Sequence, residues 1–249
     1  MIAPPLSKLS GGRLATMALA AGAMSPDFAY VAFLDTNRDF GHRPLGVVLF
    51  CLPASIAVLA VWNGLVKRPL AGLLPHRWAH LGRAMCRDLG PTTWRSASIT
   101  VAAVLVGAVT HLVWDGFTHP DGWAVEAVGL LRQQVLGHRL HVWLQYGCGV
   151  IGVAVLAAMT VVWARRQPRV EVGRPPAGRR IGGLAAIAAA TVLGALANVA
   201  RLSAGASSGI RLLAVAGVLG AMAGAAVAVT AYGLTQAGQG GPDTRPETP

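Results

Sequence analysis

Long apolar stretches alternate with short charged segments along most of this 249-residue chain. A helix rises about 1.5 Å per residue, so about 20 apolar residues can cross a hydrocarbon core of roughly 30 Å. Five stretches reach that length: 45–66, 96–116, 142–164, 181–200 and 212–234. The pattern therefore predicts an all-α fold, a polytopic transmembrane helical bundle, rather than a soluble domain.

The first apolar segment is different, because residues 14–24 are too short to span a membrane alone. Ser25-Pro26-Asp27 follows and leads into the apolar run FAYVAFL. Serine is a favourable N-cap and proline a favourable first helical residue. We predict a sixth membrane segment that is broken at this tripeptide. The alternative is a signal peptide, because basic residues precede the apolar run and small residues end it.

The composition supports a membrane protein. Hydrophobic residues make up 54% of the chain and charged residues 12%, whereas a soluble domain carries about 25% charged residues. The net charge is +11, but no basic stretch carries a nucleic-acid-binding motif, so we expect no nucleic-acid partner. The three cysteines are an odd number without framework spacing, which argues against a disulfide scaffold.

The basic residues are concentrated in two connections, 67–95 and 165–180, which hold six Lys or Arg each. The connections 35–44 and 117–139 hold two each. Cytoplasmic loops of membrane proteins are enriched in Lys and Arg. We therefore predict that the two basic loops and both termini of this multi-pass protein are cytoplasmic.

The 67–95 loop has a helical pattern of its own. Trp78, Leu81, Met85 and Leu89 recur at helical spacing, with basic residues largely on other faces. This pattern predicts an amphipathic helix on the anionic lipids of the inner leaflet, and the alternative is a solvated loop helix.

The C-terminal apolar stretches are rich in Ala and Gly, which allow helices to pack closely, within one chain or in a homo-oligomer. We divide the chain into four segments: a membrane domain at 1–165, a basic loop at 166–180, a transmembrane hairpin at 181–234 and a disordered polar tail at 235–249.

Candidate chemistry is concentrated in the run from His111 to His119, HLVWDGFTH. His111 and Asp115 are four residues apart and share a helical face, and His119 lies one turn further along. Imidazole and carboxylate ligands suit Zn²⁺ or a similar divalent metal. The predicted topology brings Asp27 and His42 to the same outer face of the membrane.

Each of these residues also has a simpler explanation. Asp27 could serve only as a helix cap, the His111–Asp115 pair could fasten helices, and His42 and His119 could be interfacial or solvated. Their coincidence at one membrane face favours a functional site, because ionisable residues are costly in a membrane.

Further polar residues should lie at the same face. We interpret His138 and His141 as interfacial, and Gln145 as a group that supports the site from one turn inside the next helix. Asn198 and Arg201 should anchor the outer end of a C-terminal span.

Four stretches resemble the bacterial membrane family catalogued as domain of unknown function 4184. They are GAMSPDF at 22–28, His42, GAVTHLVWDGFTH at 107–119 and LQYG at 144–147, and the likeness covers roughly residues 1–165. The family's His/Asp layout is similar to that of membrane-bound metal-dependent hydrolases. The resemblance implies a location in the bacterial inner membrane, and it nominates five site residues: Asp27, His42, His111, Asp115 and His119. The chain departs from the family at Lys8, where a histidine is usual, and at Gly41-His42-Arg43, where Ser-His-Ser is usual.

Our main hypothesis is a metal-dependent hydrolase that acts on a lipid or lipid-linked phosphoester at the outer membrane face. His111, Asp115 and His119 would hold the metal, with Asp27 and His42 as further ligands or a general base. The alternative is a non-catalytic membrane scaffold or an ion carrier that uses the same polar residues.

Overall fold

A computed structural model describes residues 13–31, 40–86, 93–169, 176–203 and 209–238, and most of these residues are helical. The helices are α1 Arg13–Met24, α2 Phe28–Val31, α3 Pro44–Leu73, α4 Ala79–Met85, α5 Trp94–Thr118, α6 Trp123–Ala127, α7 Leu140–Arg165, α8 Ala177–Ser203 and α9 Ile210–Gly238. A short antiparallel hairpin of β1 Gln134–Val135 and β2 His138–Arg139 precedes α7.

The predicted membrane architecture is confirmed for the part of the chain that the structure describes. Five helical stretches are long and apolar enough to cross a membrane: α3, α5 with α6, α7, α8 and most of α9. They match the five long apolar stretches of the sequence, so the protein is an all-α polytopic membrane protein. Lys8, Leu89 and residues 239–249 of the predicted tail lie outside the described residues, and α9 itself continues to Gly238.

The predicted break in the first segment is confirmed, although its mechanism differs. Ser25–Asp27 forms a 3-10 turn between α1 and α2. The expectation that Ser25 caps the second piece is wrong, because Met24 keeps a helical conformation (φ −95°, ψ −18°) and the chain never leaves the helical region. The Ser25 hydroxyl instead donates backwards to the Gly22 carbonyl at 2.7 Å. Residues 32–39 lie outside the described residues.

The contacts divide the chain into two compact units. Among the described residues, the first contains 13–28, 40–57 and 93–167, and the second contains 29–31, 58–86, 168–169, 176–203 and 209–238. Every candidate site residue belongs to the first unit.

Glycines allow α1 and α5 to pack with their backbones in contact in the first unit. A Cβ at Gly22 would collide with the Val104 carbonyl, and one at Gly107 would collide with the Leu19 carbonyl and the Ala23 nitrogen. Only residues without a side chain permit this approach. The glycines therefore fix the spacing between α5, which carries or adjoins three of the five candidate site residues, and α1, which leads into the 3-10 turn.

We expect Gly107→Ala to destabilise the protein by about 1–3 kcal/mol, because its methyl group overpacks the contact between α1 and α5. Thermal unfolding in detergent measures the effect. Gly147→Ala in α7 is the matched control, since a Cβ there meets nothing within 4 Å. Equal melting temperatures for the two variants would contradict the packing argument.

The second unit contains the Ala/Gly-rich helices α8 and α9. Gly194 packs against the backbone of Gly220 and Gly224. The buried Asn198 donates from Nδ2 to the Ala216 carbonyl at 2.8 Å. The small residues thus serve packing within the chain, and a homo-oligomer stays a prediction.

The segment predicted to form an amphipathic helix contains α4, a helix of seven residues that also lies in the second unit. Its buried face contains Gly82, which packs against Ala71. Trp78 and Met85 are exposed, and the Arg77 guanidinium lies 4.6 Å from the centre of the Trp78 ring. This exposure is compatible with a lipid surface, and binding to anionic lipids stays a prediction.

Candidate metal centre

Three chain segments bring the candidate residues together in the first unit. Asp27 ends the 3-10 turn after α1, His42 lies just before α3, and the other three residues lie on the last turns of α5 and at its end. Gly41 allows the close approach of His42, because a Cβ there would lie 2.7 Å from the Pro26 carbonyl oxygen. We call Asp27, His42, His111, Asp115 and His119 the Asp/His cluster.

Two imidazoles and two carboxylates face one another in this cluster. The Nε2 atom of His42 lies 3.5 Å from Asp27 Oδ1 and 3.4 Å from Asp115 Oδ2. The Nε2 atom of His111 lies 3.7 Å from Asp27 Oδ2 and 3.1 Å from Asp115 Oδ2. Ligand atoms of Asp27, His42 and His111 all lie within 4.8 Å of one another, a spacing that can hold a metal ion.

The orientation of His111 is fixed from the opposite side of its ring. Its Nδ1 atom lies 2.7 Å from the Ala23 carbonyl oxygen in α1. A carbonyl only accepts hydrogen bonds, so Nδ1 carries the donated proton. Nε2 therefore faces the two carboxylates, and it either carries a second proton or shares its lone pair with a metal ion.

His42 lies outside the membrane-spanning helices, and its pKa is changed by its neighbours. Hydrogen bonds to Asp115 and to Asp27 raise the pKa of His42 to about 9, against the opposing effect of burial. Without a metal ion, His42 is therefore an imidazolium at neutral pH.

His119 has a more peripheral place than His42 and His111. Its Nδ1 atom lies 3.5 Å from Asp115 Oδ1 and 3.4 Å from Thr118 Oγ1, and its side chain is 47% exposed. It contacts the rest of the Asp/His cluster through Asp115. The candidate metal spacing thus involves Asp27, His42 and His111. The sequence-based assignment of His119 as a metal ligand stays a prediction.

Two contributions to the site were missed by the sequence analysis. The Ala23 carbonyl that orients His111 carries no side-chain signal. His141 was expected at the membrane interface, but it is only 3% exposed, and its Nδ1 atom lies 3.0 Å from the Thr118 carbonyl oxygen. The burial depends on the packing of α7 against the end of α5, which no local pattern reveals.

His138 and Gln145, the other polar residues expected near the site, make no hydrogen bond or ion pair with the Asp/His cluster among the interactions of the described residues. His138 is exposed and lies edge to face against Trp143, with ring centres 5.8 Å apart. Gln145 lines a shallow apolar hollow on α7 with Tyr146 and Val150. Its supporting role stays a prediction.

A protein-family model matches most of the chain. The family model described as Domain of unknown function (DUF4184) matches residues 1–234. The match includes the whole Asp/His cluster, and it extends beyond residue 165 through α8 and most of α9. No curated protein and no solved structure matches the chain.

Proposed function

The chain belongs to the family described as Domain of unknown function (DUF4184), and from this premise we propose that it is a metal-dependent hydrolase. Its substrate would be a lipid or lipid-linked phosphoester at the outer face of the membrane. The observation that carries the proposal is the convergence of two imidazoles and two carboxylates from three separate chain segments.

The spacing of the donor atoms supports a metal site. In a tetrahedral zinc site with bonds of about 2.0–2.1 Å, neighbouring ligand atoms are roughly 3.3 Å apart. Each Nε2 atom of His42 and His111 lies 3.1–3.7 Å from an oxygen of both Asp27 and Asp115. These four distances bracket that separation, and ligand atoms of Asp27, His42 and His111 lie within 4.8 Å of one another.

The charge of the donor set also fits a divalent ion. Two ionised carboxylates and two neutral imidazoles carry two negative charges, which one divalent cation balances. Nitrogen and oxygen donors of this kind suit zinc, manganese or iron. When bound, such an ion lowers the pKa of a water molecule to about 7 and so supplies hydroxide at neutral pH.

The exposure of the Asp/His cluster supports a substrate that comes from the membrane surface. Asp27 is 53% exposed and His119 is 47% exposed, so two sides of the cluster are open. The cluster lies where α5 ends and α3 begins, and we expect the ends of two such spanning helices to lie near the lipid headgroups. A phosphoester there can reach the cluster, and the exposed His119 is available for proton transfer.

A non-catalytic role is the second candidate, and the same contacts favour it when no metal is bound. Protonated His42 and His111 would form ion pairs with Asp27 and Asp115 and would fasten three segments together. An ion carrier is less well supported, because carrier sites lie near the middle of the membrane and this cluster lies at helix ends.

Metal analysis of the purified protein tests the proposal. We expect about one divalent metal ion per chain by mass spectrometry after purification in detergent, and we expect His111→Ala to lose it. His138→Ala is the matched control, because His138 is exposed and contacts Trp143 rather than the cluster.

The catalytic part needs a second assay. The metal-loaded protein in liposomes should hydrolyse phosphoester lipids, and a chelator should stop the reaction. A protein without bound metal would favour the structural ion-pair cluster. A metal-loaded protein without any hydrolysis would contradict the enzyme while keeping the metal site.

A further inference from the structure

The last turn of α5 contains Asp115 and is followed directly by His119, and it needs external support at its end. The final carbonyl groups of a helix have no partner within the helix. The Asp115 carbonyl accepts from the His119 backbone nitrogen at 2.9 Å, which closes the turn. Thr118 is 1% exposed, so its carbonyl cannot rely on bulk water.

His141 supplies the partner for the Thr118 carbonyl. It lies in the first turn of α7, is 3% exposed, and has Nδ1 at 3.0 Å from the Thr118 oxygen. Because the carbonyl only accepts, Nδ1 donates and the ring is the Nδ1–H tautomer. Its Nε2 atom is buried and has no hydrogen-bond partner within the described ranges. Nδ1 is thus the atom through which His141 acts.

A chain of polar contacts links this bond to the cluster. The Thr118 hydroxyl lies 3.4 Å from His119 Nδ1, and the same nitrogen lies 3.5 Å from Asp115 Oδ1. A shift of the Thr118 peptide would therefore move His119 directly and Asp115 through the helical turn.

We propose that His141 is a positioning residue, whose Nδ1–H bond to the Thr118 carbonyl holds Asp115 and His119 in place for metal binding. This inference rests on the proposed metal site. Residues that orient a metal site through hydrogen bonds typically change metal affinity by 10- to 100-fold when they are replaced.

A matched pair of substitutions tests the proposal in the full-length protein in detergent. Asparagine and leucine have nearly the same shape, but only asparagine places an amide donor near the position of Nδ1. We expect His141→Leu to weaken zinc binding by about 10- to 100-fold and His141→Asn to stay within about threefold of the wild type. Equal zinc affinities for the two variants would overturn the proposal.

Nitrogen NMR of ¹⁵N-labelled histidine provides a readout that does not need zinc. In the metal-free wild type, His141 should show the Nδ1–H tautomer. The ring signals of His119 should shift in His141→Leu and stay in place in His141→Asn. An Nε2–H tautomer, or unshifted His119 signals in the leucine variant, would overturn the positioning role. A wild type that binds no zinc would overturn the proposed function, and these spectra would still decide the role of His141.

Discussion

Replacing Asp115 by asparagine is expected to weaken metal binding by about 100-fold or more. Asp115 is the one member of the Asp/His cluster whose carboxylate contacts His42, His111 and His119, at 3.4, 3.1 and 3.5 Å. The substitution keeps the size of the side chain but removes its negative charge. In the metal-bound state the imidazoles are neutral, so the effect falls on the metal ion, which loses one of the two negative charges that balance it. A 100-fold weaker affinity corresponds to about 2.8 kcal/mol.

Zinc titration by calorimetry, together with metal analysis, measures this effect. Asp121→Asn is the matched control, because Asp121 is an exposed carboxylate in the turn that follows α5. We expect the control to bind zinc like the wild type. Unchanged zinc affinity in Asp115→Asn would show that Asp115 neither binds nor orients the metal, and it would contradict the four-donor set while leaving Asp27, His42 and His111.

Zinc binding is also expected to strengthen as the pH rises, up to about pH 9. The pKa of His42 is raised from 6.5 to about 9 by its hydrogen bonds to Asp115 and Asp27. Below that pH the metal-free imidazole carries a proton, which zinc must displace to reach the lone pair. Each pH unit below about 9 should therefore cost about tenfold in affinity for this proton alone. Calorimetry in buffers of different protonation enthalpy counts the protons released.

The stability of the metal-free protein should fall as the pH rises, whereas zinc affinity should increase. A raised pKa means that protonated His42 stabilises the fold fully below pH 6.5, and this contribution is lost as the pH rises through about 9. Thermal unfolding of the chelator-treated protein should thus show falling stability over the interval in which zinc binding improves. Zinc affinity that is flat between pH 6.5 and 9 would contradict the placement of His42 at the metal.

The residues of the site were predictable to different degrees. His111 and Asp115 share a helical face because helical geometry brings positions four apart together, and the structure has them 3.1 Å apart. The predicted topology placed Asp27 and His42 at the same membrane face as this pair. It could not predict that they contact the pair, because it does not say which helices are neighbours within the membrane. The close contact depends on backbone approaches at Gly22, Gly41 and Gly107, and these are ordinary glycines in the sequence.

The sequence by itself determined that this chain is an all-α, multi-pass membrane protein with a break at Ser25-Pro26-Asp27, because apolar length and proline placement act locally along the chain. Only the tertiary structure decided which polar groups meet: the Ala23 carbonyl behind His111, and the buried His141 beneath Thr118. A backbone carbonyl has no side-chain signature, and burial depends on which helices pack side by side. The periodicity of a single helix does not contain that information.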